Sequence, residues 1–93
     1  MSVLADDARP YLPRGVRMKW CAVREAWFLL APERALKLDT VAAAILETLD
    51  GERDVAAVVA SLAERFDAPA ERIAGDVRPF LASLMERRMV EVA

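Results

Sequence analysis

The chain has 93 residues, of which 56% are apolar and 30% are charged, and its formal net charge is −2. This length fits one small domain, and 18 alanines predict a compact, helix-rich core with little room for a buried cofactor. The sequence has no His, Asn or Gln and a single cysteine, Cys21. Zinc sites of Cys and His, disulfides within the chain and Ser/His or Cys/His nucleophile systems are thereby excluded, so we expect no enzyme, no metal and no cofactor.

The sequence also argues against a membrane protein. No uninterrupted apolar run is longer than six residues, whereas a membrane-spanning helix needs roughly 20. The first eight residues contain Asp6 and Asp7 and no basic residue, unlike a secretory signal. We therefore expect a cytoplasmic protein that does not associate with membranes.

Charge is unevenly distributed along the chain. Residues 9–37 hold seven basic side chains against Glu25 and Glu33, and residues 38–93 hold eleven acidic side chains against six basic ones. The basic block either attracts a partner that carries carboxylates or is simply the solvated face of a sheet, and the sequence leaves both readings open.

The N-terminal half predicts a tail and three strands. Residues 1–13 contain Pro10 and Pro13 without an apolar period, which indicates an extended tail. Apolar residues then alternate with charged ones over 16–20, the run 26–30 is apolar on both faces, and 35–38 alternates again. A tight turn with Pro32 at its second position predicts a hairpin between the last two strands. The strand order 1-2-3 leaves 35–38 at an edge.

The C-terminal half predicts three helices. The first is capped by Asp39 or Thr40 and stopped at Gly51, and the second runs from an Asp54 cap to Phe66. The third begins near Ala70 after a turn that contains Asp67, which we also expect to act as a cap. Pro79 predicts a kink in this helix or a restart at Asp76, and Val90 and Val92 predict a short terminal extension.

Together these elements predict an α+β fold of winged-helix-like type, with a three-stranded antiparallel sheet followed by a three-helix bundle. In such a fold the third helix reads DNA, so a winged-helix DNA-binding regulator is the alternative function. That helix has only one net positive charge, with four Arg against Glu71, Asp76 and Glu86, whereas duplex binding rests on many phosphate contacts. We therefore rank DNA binding second.

Over residues 10–90 the sequence resembles the peptide chaperones of pyrroloquinoline quinone (PQQ) biosynthesis, the PqqD family. The most specific part is the segment 29–33, Leu-Leu-Ala-Pro-Glu, followed by Ala-Ile-Leu at 44–46 and Asp50-Gly51. The remaining matches are Pro13, the segment 15–18, Trp27, Phe28, Arg34, Leu38, Asp76, Val77, Phe80, Leu81 and Leu84. Cys21 stands where the family has a polar turn residue.

The resemblance implies a precursor-peptide recognition element without catalytic residues. Such a module binds the PQQ precursor peptide and delivers it to a radical S-adenosylmethionine enzyme that cross-links a Glu and a Tyr of the peptide. We expect residues 14–93 to form the peptide-recognition domain, and the resemblance implies that the peptide adds as a strand beside 35–38, against the third helix. Neither nucleic acid nor membrane is expected as a partner.

Which flank of the third helix faces the peptide is a choice between two sets. At about 100° per residue, Ala74, Arg78, Leu81 and Met85 share one flank, and Asp76, Phe80, Ser83 and Arg87 share the other. We favour the first flank because a small residue, an adaptable Met and an Arg suit a peptide. The predicted peptide-binding residues are Arg34, Ala35, Leu36, Lys37, Leu38, Ala74, Val77, Arg78, Leu81 and Met85.

The second strand carries more apolar side chains than one helical layer can cover. Trp27, Phe28, Leu29 and Leu30 are consecutive, so they lie on both faces of the sheet. Either the tail around Tyr11 and Leu12 covers the second face, or another subunit does so in a homodimer.

Overall fold

The computed structural model describes residues 4–93; residues 1–3 of the predicted tail lie outside this range. Five strands and three helices follow one another along the chain. They are β1 (Pro10–Tyr11), β2 (Arg17–Cys21), β3 (Ala26–Ala31), β4 (Arg34–Leu38), α1 (Thr40–Glu47), α2 (Val55–Arg65), α3 (Ala70–Glu86) and β5 (Glu91–Val92). The predicted α+β order of three antiparallel strands followed by three helices is confirmed.

The main sheet has the predicted order, β2-β3-β4, with antiparallel neighbours. Residues 22–25 form the first turn, and Pro32 and Glu33 form the second, where Glu33 has a φ of 64°. Leu29 pairs with Met18 on one side and Leu36 on the other, so these three side chains share the face that packs on the helices. Alternation places Phe28 and Leu30 on the opposite face.

The first two helices begin at the predicted caps. The Asp39 carboxylate accepts a hydrogen bond from the Ala42 N–H at 2.7 Å, and the Asp54 carboxylate accepts one from the Ala57 N–H at 2.8 Å. The helix α1 ends before Gly51, at a Thr48 whose hydroxyl donates to the Ala44 carbonyl at 2.9 Å. Gly51 has a positive φ of 77°, but it lies in the loop after the helix rather than at its stop.

Two expectations for α3 are wrong. The helix runs unbroken through Pro79, so there is no restart at Asp76, whereas the alternative of a kink at Pro79 stays a prediction. Its N-cap is Pro69, which makes no side-chain hydrogen bond, and Asp67 lies in the left-handed region at φ 50°. Asp67 therefore belongs to the turn and does not cap the helix.

The segment before residue 14 is bonded to the body of the fold. The strand β1 pairs antiparallel with β5, and Pro10 lies opposite Val92. The sequence does not predict this ribbon, because strands of two residues are too short to show an apolar period. The carbonyls of Ala8 and Asp6 accept hydrogen bonds from the N–H groups of Val55 and Ala56 at 2.9 and 3.1 Å. These two donors in the first turn of α2 have no partner within the helix, so the segment completes the cap that Asp54 begins.

The core lies between the inner face of the sheet and the three helices. Its most deeply buried members are Leu29 from β3, Val55 and Val58 from α2, and Leu81 from α3, each fully inaccessible to solvent. Leu4 is also buried, which anchors the N-terminal segment to the helices. Within residues 4–93, no helix is long and apolar enough to cross a membrane.

Candidate functional site

The strand β4 is an edge of the main sheet and therefore has unpaired backbone groups. It is joined to β3 by a two-residue loop flanked by the pair Ala31 and Arg34. In such a hairpin the flanking pair is hydrogen-bonded, and bonded pairs alternate with unbonded ones along the strands. Leu36 and Leu38 consequently bond to β3, whereas Ala35 and Lys37 direct their N–H and C=O groups away from the sheet.

An open groove of about 670 Å³ runs along this edge, between β4 and the helices α1 and α3. Its walls combine apolar side chains with two acidic and two basic residues. It is lined by Leu36, Lys37, Leu38, Asp39, Val41, Ala42, Ile45, Gly75, Asp76, Pro79, Phe80 and Arg87. The outward backbone groups of Lys37 stand at its margin, so an extended chain in the groove can pair with the strand and bury alternate side chains against the helices.

The α3 wall of the groove contains an incomplete helical turn. Gly75 and Pro79 both line it and are both exposed. Pro79 has no N–H group, so it cannot donate the i to i−4 hydrogen bond to the Gly75 carbonyl. A Cβ added at Gly75 would meet no atom within 4 Å. This wall therefore offers a backbone acceptor and open space opposite the free backbone of β4.

The structure brings some of the predicted site residues together and separates others. Leu36, Lys37 and Leu38 line the groove, and Ala35 lies on the same strand with its backbone directed outward. Arg34 is exposed at the turn end of β4, away from the groove lining. Val77 and Leu81 are buried in the core, with 1% and no exposure.

The favoured flank of α3 does not face the groove. Arg78 donates a hydrogen bond to the Leu4 carbonyl and forms an ion pair with Asp6, so the N-terminal segment occupies this flank. Ala74 and Met85 are half-buried against the core and are absent from the groove lining. The wall is formed by the other flank, through Asp76 and Phe80, and by Arg87 directly after the helix. The sequence signal that could have identified this flank is a glycine, Gly75, four residues before a proline, Pro79.

The groove has the chemistry of a binding site. Within the part of the chain that the structure describes, no group of three or more Cys, Asp or Glu residues could hold a metal ion. Buried side-chain N and O atoms of residues 4–93 all have hydrogen-bond partners. The groove supplies an apolar floor, backbone acceptors and donors, and a few exposed charges.

The comparison with protein families gives one clear match. The model of the family described as coenzyme PQQ synthesis protein D (PqqD) matches residues 26–90, which contain β3, β4 and all three helices. The chain belongs to the PqqD family. The family resemblance drawn from the sequence is thus confirmed, and the matched region contains the whole of the groove.

Individual relatives also support the assignment of this chain to the PqqD family. The PqqA binding protein of Rhizobium meliloti (strain 1021) is 52% identical over 90 residues, covering 97% of this chain and 92% of the relative. A solution structure of the PqqD truncation of Methylobacterium extorquens PqqCD, described as a functional, stand-alone recognition element of ribosomally synthesized and modified peptides, is 39% identical with a TM-score of 0.81. It covers 97% of this chain, and 95% of its own length is matched.

A second solved structure is more distant. The crystal structure of PqqD from Xanthomonas campestris is 36% identical, covers 91% of this chain over 94% of its own length, and has a TM-score of 0.59. Both solved structures therefore support the order of strands and helices described above.

Proposed function

We propose that this chain binds the precursor peptide of PQQ as an added strand beside β4, with α3 as the opposite wall. The observation that carries the proposal is the edge strand: Ala35 and Lys37 direct unpaired backbone groups away from the sheet, and Lys37 stands at the margin of a groove whose opposite wall is α3. Main-chain pairing supplies affinity in this mode of recognition, and the pockets for alternate side chains supply selectivity. The relatives named PqqA binding protein support this ligand.

The proposed contact residues combine the two sides of the groove. From β4 they are the predicted Ala35, Leu36, Lys37 and Leu38. From α3 and the residue that follows it they are Gly75, Asp76, Phe80 and Arg87. These replace Ala74, Arg78, Leu81 and Met85, because the N-terminal segment covers part of that flank and Leu81 is buried in the core. In this arrangement, which we class as winged-helix-like, the groove lies between the sheet edge and the third helix.

The chain delivers the peptide and does not modify it. We assign the cross-linking of a Glu to a Tyr of the peptide to a radical S-adenosylmethionine enzyme, in line with the family resemblance. The absence of His from the whole sequence and the lack of a metal-binding cluster within residues 4–93 support a non-catalytic role. We propose that the chain carries out this role in the cytoplasm. The DNA-binding alternative is not favoured, because α3 contains only two Arg side chains, Arg72 and Arg78, and Arg78 is already paired with Asp6.

A titration of the ¹⁵N-labelled protein with the precursor peptide tests the proposal. We expect amide shifts concentrated in residues 34–39 and on the groove side of α3, and an unchanged peptide mass after incubation with this protein alone. Shifts confined to the Arg78 flank would place the site elsewhere, and a covalent change in the peptide without added enzyme would contradict the non-catalytic role. Duplex DNA in the same titration serves as the comparison, and any binding should disappear steeply as salt rises.

A further inference from the structure

The main sheet has a second face that points away from the helices. By the strand register, Cys21, Phe28, Leu30 and Ala35 all lie on this face, which we call the outer sheet face. Together with Trp20 they line a shallow depression of about 490 Å³. Phe28 and Leu30 are only half-buried, although large apolar side chains are usually covered.

Neither the N-terminal segment nor a helix covers this depression. Its lining comes only from residues 19–35 among those that the structure describes. Tyr11 lies elsewhere, opposite Glu91 in the β1–β5 ribbon and 3.5 Å from the position of a Cβ at Gly51. Val23, at the tip of the neighbouring turn, is 94% exposed. The apolar surface thus continues from the sheet onto the turn.

The rim of the outer sheet face is basic. Arg17, Lys19 and Lys37 occupy outward positions of the strands, and the guanidinium carbon of Arg24 lies 5.8 Å from the centre of the Phe28 ring. The outward strand positions hold no carboxylate; Glu25 and Glu33 lie in the turns. Within residues 4–93, none of these four cations forms an ion pair. Their charge is therefore available to a partner.

This charge disfavours a symmetric dimer through the face. A two-fold interface would bring the four cations of one copy close to the same four of the other, and like charges that face each other in an interface destabilise it. An apolar centre with a basic rim instead matches a protein surface that is apolar at its centre and acidic around it.

We infer that the outer sheet face docks the enzyme that modifies the bound peptide, through an acidic and apolar patch on that enzyme. The inference rests on the proposed function, because a peptide added beside β4 becomes a fourth strand of the same sheet. Every second side chain of that strand then lies on the outer sheet face, level with Ala35 and Lys37. An enzyme docked there meets the protein and the peptide as one continuous surface, which explains how binding presents the peptide.

Charge reversal tests the inference. The variant Lys19→Glu/Arg24→Glu changes the rim and leaves the groove lining intact. The control Arg72→Glu/Arg88→Glu makes the same change in net charge at one position of α3 and one in the turn after it, outside both surfaces. Binding of the radical S-adenosylmethionine enzyme is measured by biosensor at low and physiological salt, with and without precursor peptide. Peptide affinity is measured separately by calorimetry.

The rim variant should slow association with the enzyme about tenfold or more, because rim charges steer encounter. Its peptide affinity and both affinities of the control variant should stay within about twofold of the wild type, since single exposed charges contribute little. The milder Lys19→Gln/Arg24→Gln should slow association with the enzyme by an intermediate factor. The association rate of the wild type should fall as salt rises, which tests the role of charge without any variant.

Four results separate the ideas. A rim variant that binds the enzyme like the wild type would overturn the inference and leave the proposed peptide binding intact. A wild type that binds peptide but not the enzyme overturns the inference together with the proposed delivery. A wild type that does not bind the peptide overturns the proposed function, whether or not it binds the enzyme. A dimer that forms at low concentration and is abolished by the rim substitutions assigns the face to a second copy and contradicts the inference.

Discussion

Pro79 lies four residues after Gly75 in α3 and leaves the Gly75 carbonyl without its helical donor on the groove wall. Pro79→Ala restores that donor, so the variant should be more stable, by up to about 3 kcal/mol, in urea unfolding. If the bound peptide uses the free carbonyl, the same variant should bind the peptide about threefold to tenfold more weakly, the equivalent of one hydrogen bond. A stability gain with unchanged affinity would remove this contact from the site.

The backbone of β4 allows a sharp test of strand addition. In Ala35→Pro the lost N–H is one that points away from β3, and proline is tolerated at such edge positions, so the fold should persist while peptide affinity falls by about tenfold, a value typical of one or two hydrogen bonds. Leu36→Pro is the matched control. It removes a bond to β3 and should lower the unfolding midpoint markedly.

The same alternation should appear in the ligand. Peptides that are N-methylated at successive backbone amides should lose affinity at every second position within the paired segment. A uniform response along the peptide would contradict strand addition and favour binding as a helix in the groove.

Substitutions of Phe80 and Met85 can distinguish which flank of α3 binds the peptide. Both side chains are half-buried against the core, so truncation of either to alanine should lower the free energy of unfolding by about 1–3 kcal/mol. Only Phe80 lines the groove, so only Phe80→Ala should also weaken peptide binding, by about tenfold for the loss of an apolar contact. Calorimetry well below the melting temperature measures the affinities. Weaker binding in Met85→Ala alone would restore the flank that the sequence favoured.

The sequence predicts the main sheet and the helices because their apolar periods are long enough to read. The alternation at 16–20 and the spacing of Val41, Ile45 and Leu49 each bring three apolar residues onto one face. The β1–β5 ribbon has two residues per strand, so no period exists to reveal it. The sequence does not determine which flank of α3 faces the groove, for another reason. The helical period places the same kinds of residues on either side of the buried stripe. The contact that decides between the two flanks joins Arg78 to Leu4, which is 74 residues away in the sequence.

Asp50 gives the loop after α1 a pH dependence. Its carboxylate accepts hydrogen bonds from the N–H groups of Arg53 and Glu52 at 2.8 and 2.9 Å, which lower the pKa of Asp50 below its ordinary value of 3.8. A carboxylate with a lowered pKa contributes stability above its unfolded pKa, and this contribution is lost as pH falls through the folded pKa. Asp50→Ala should therefore melt lower than the wild type at pH 7, and the gap should narrow below about pH 4. Thermal melts across this range measure the gap, with the exposed Glu52→Ala as the control. A gap that is constant with pH would show that the carboxylate charge plays no part.

Arg78 contacts the N-terminal segment and does not line the groove, so we expect its substitution to affect stability and spare peptide binding. The guanidinium donates to the Leu4 carbonyl and pairs with Asp6, while about a third of the side chain remains exposed. Because solvent screens a partly exposed charge, Arg78→Ala should lower the free energy of unfolding by about 1 kcal/mol. Faster amide exchange at Val55 and Ala56 should accompany the loss, since their N–H groups bond to Ala8 and Asp6 of the released segment. Arg72→Ala, an exposed position on the same helix, should change neither quantity. If Arg78→Ala instead abolished peptide binding while exchange at Val55 stayed slow, Arg78 would be a peptide contact.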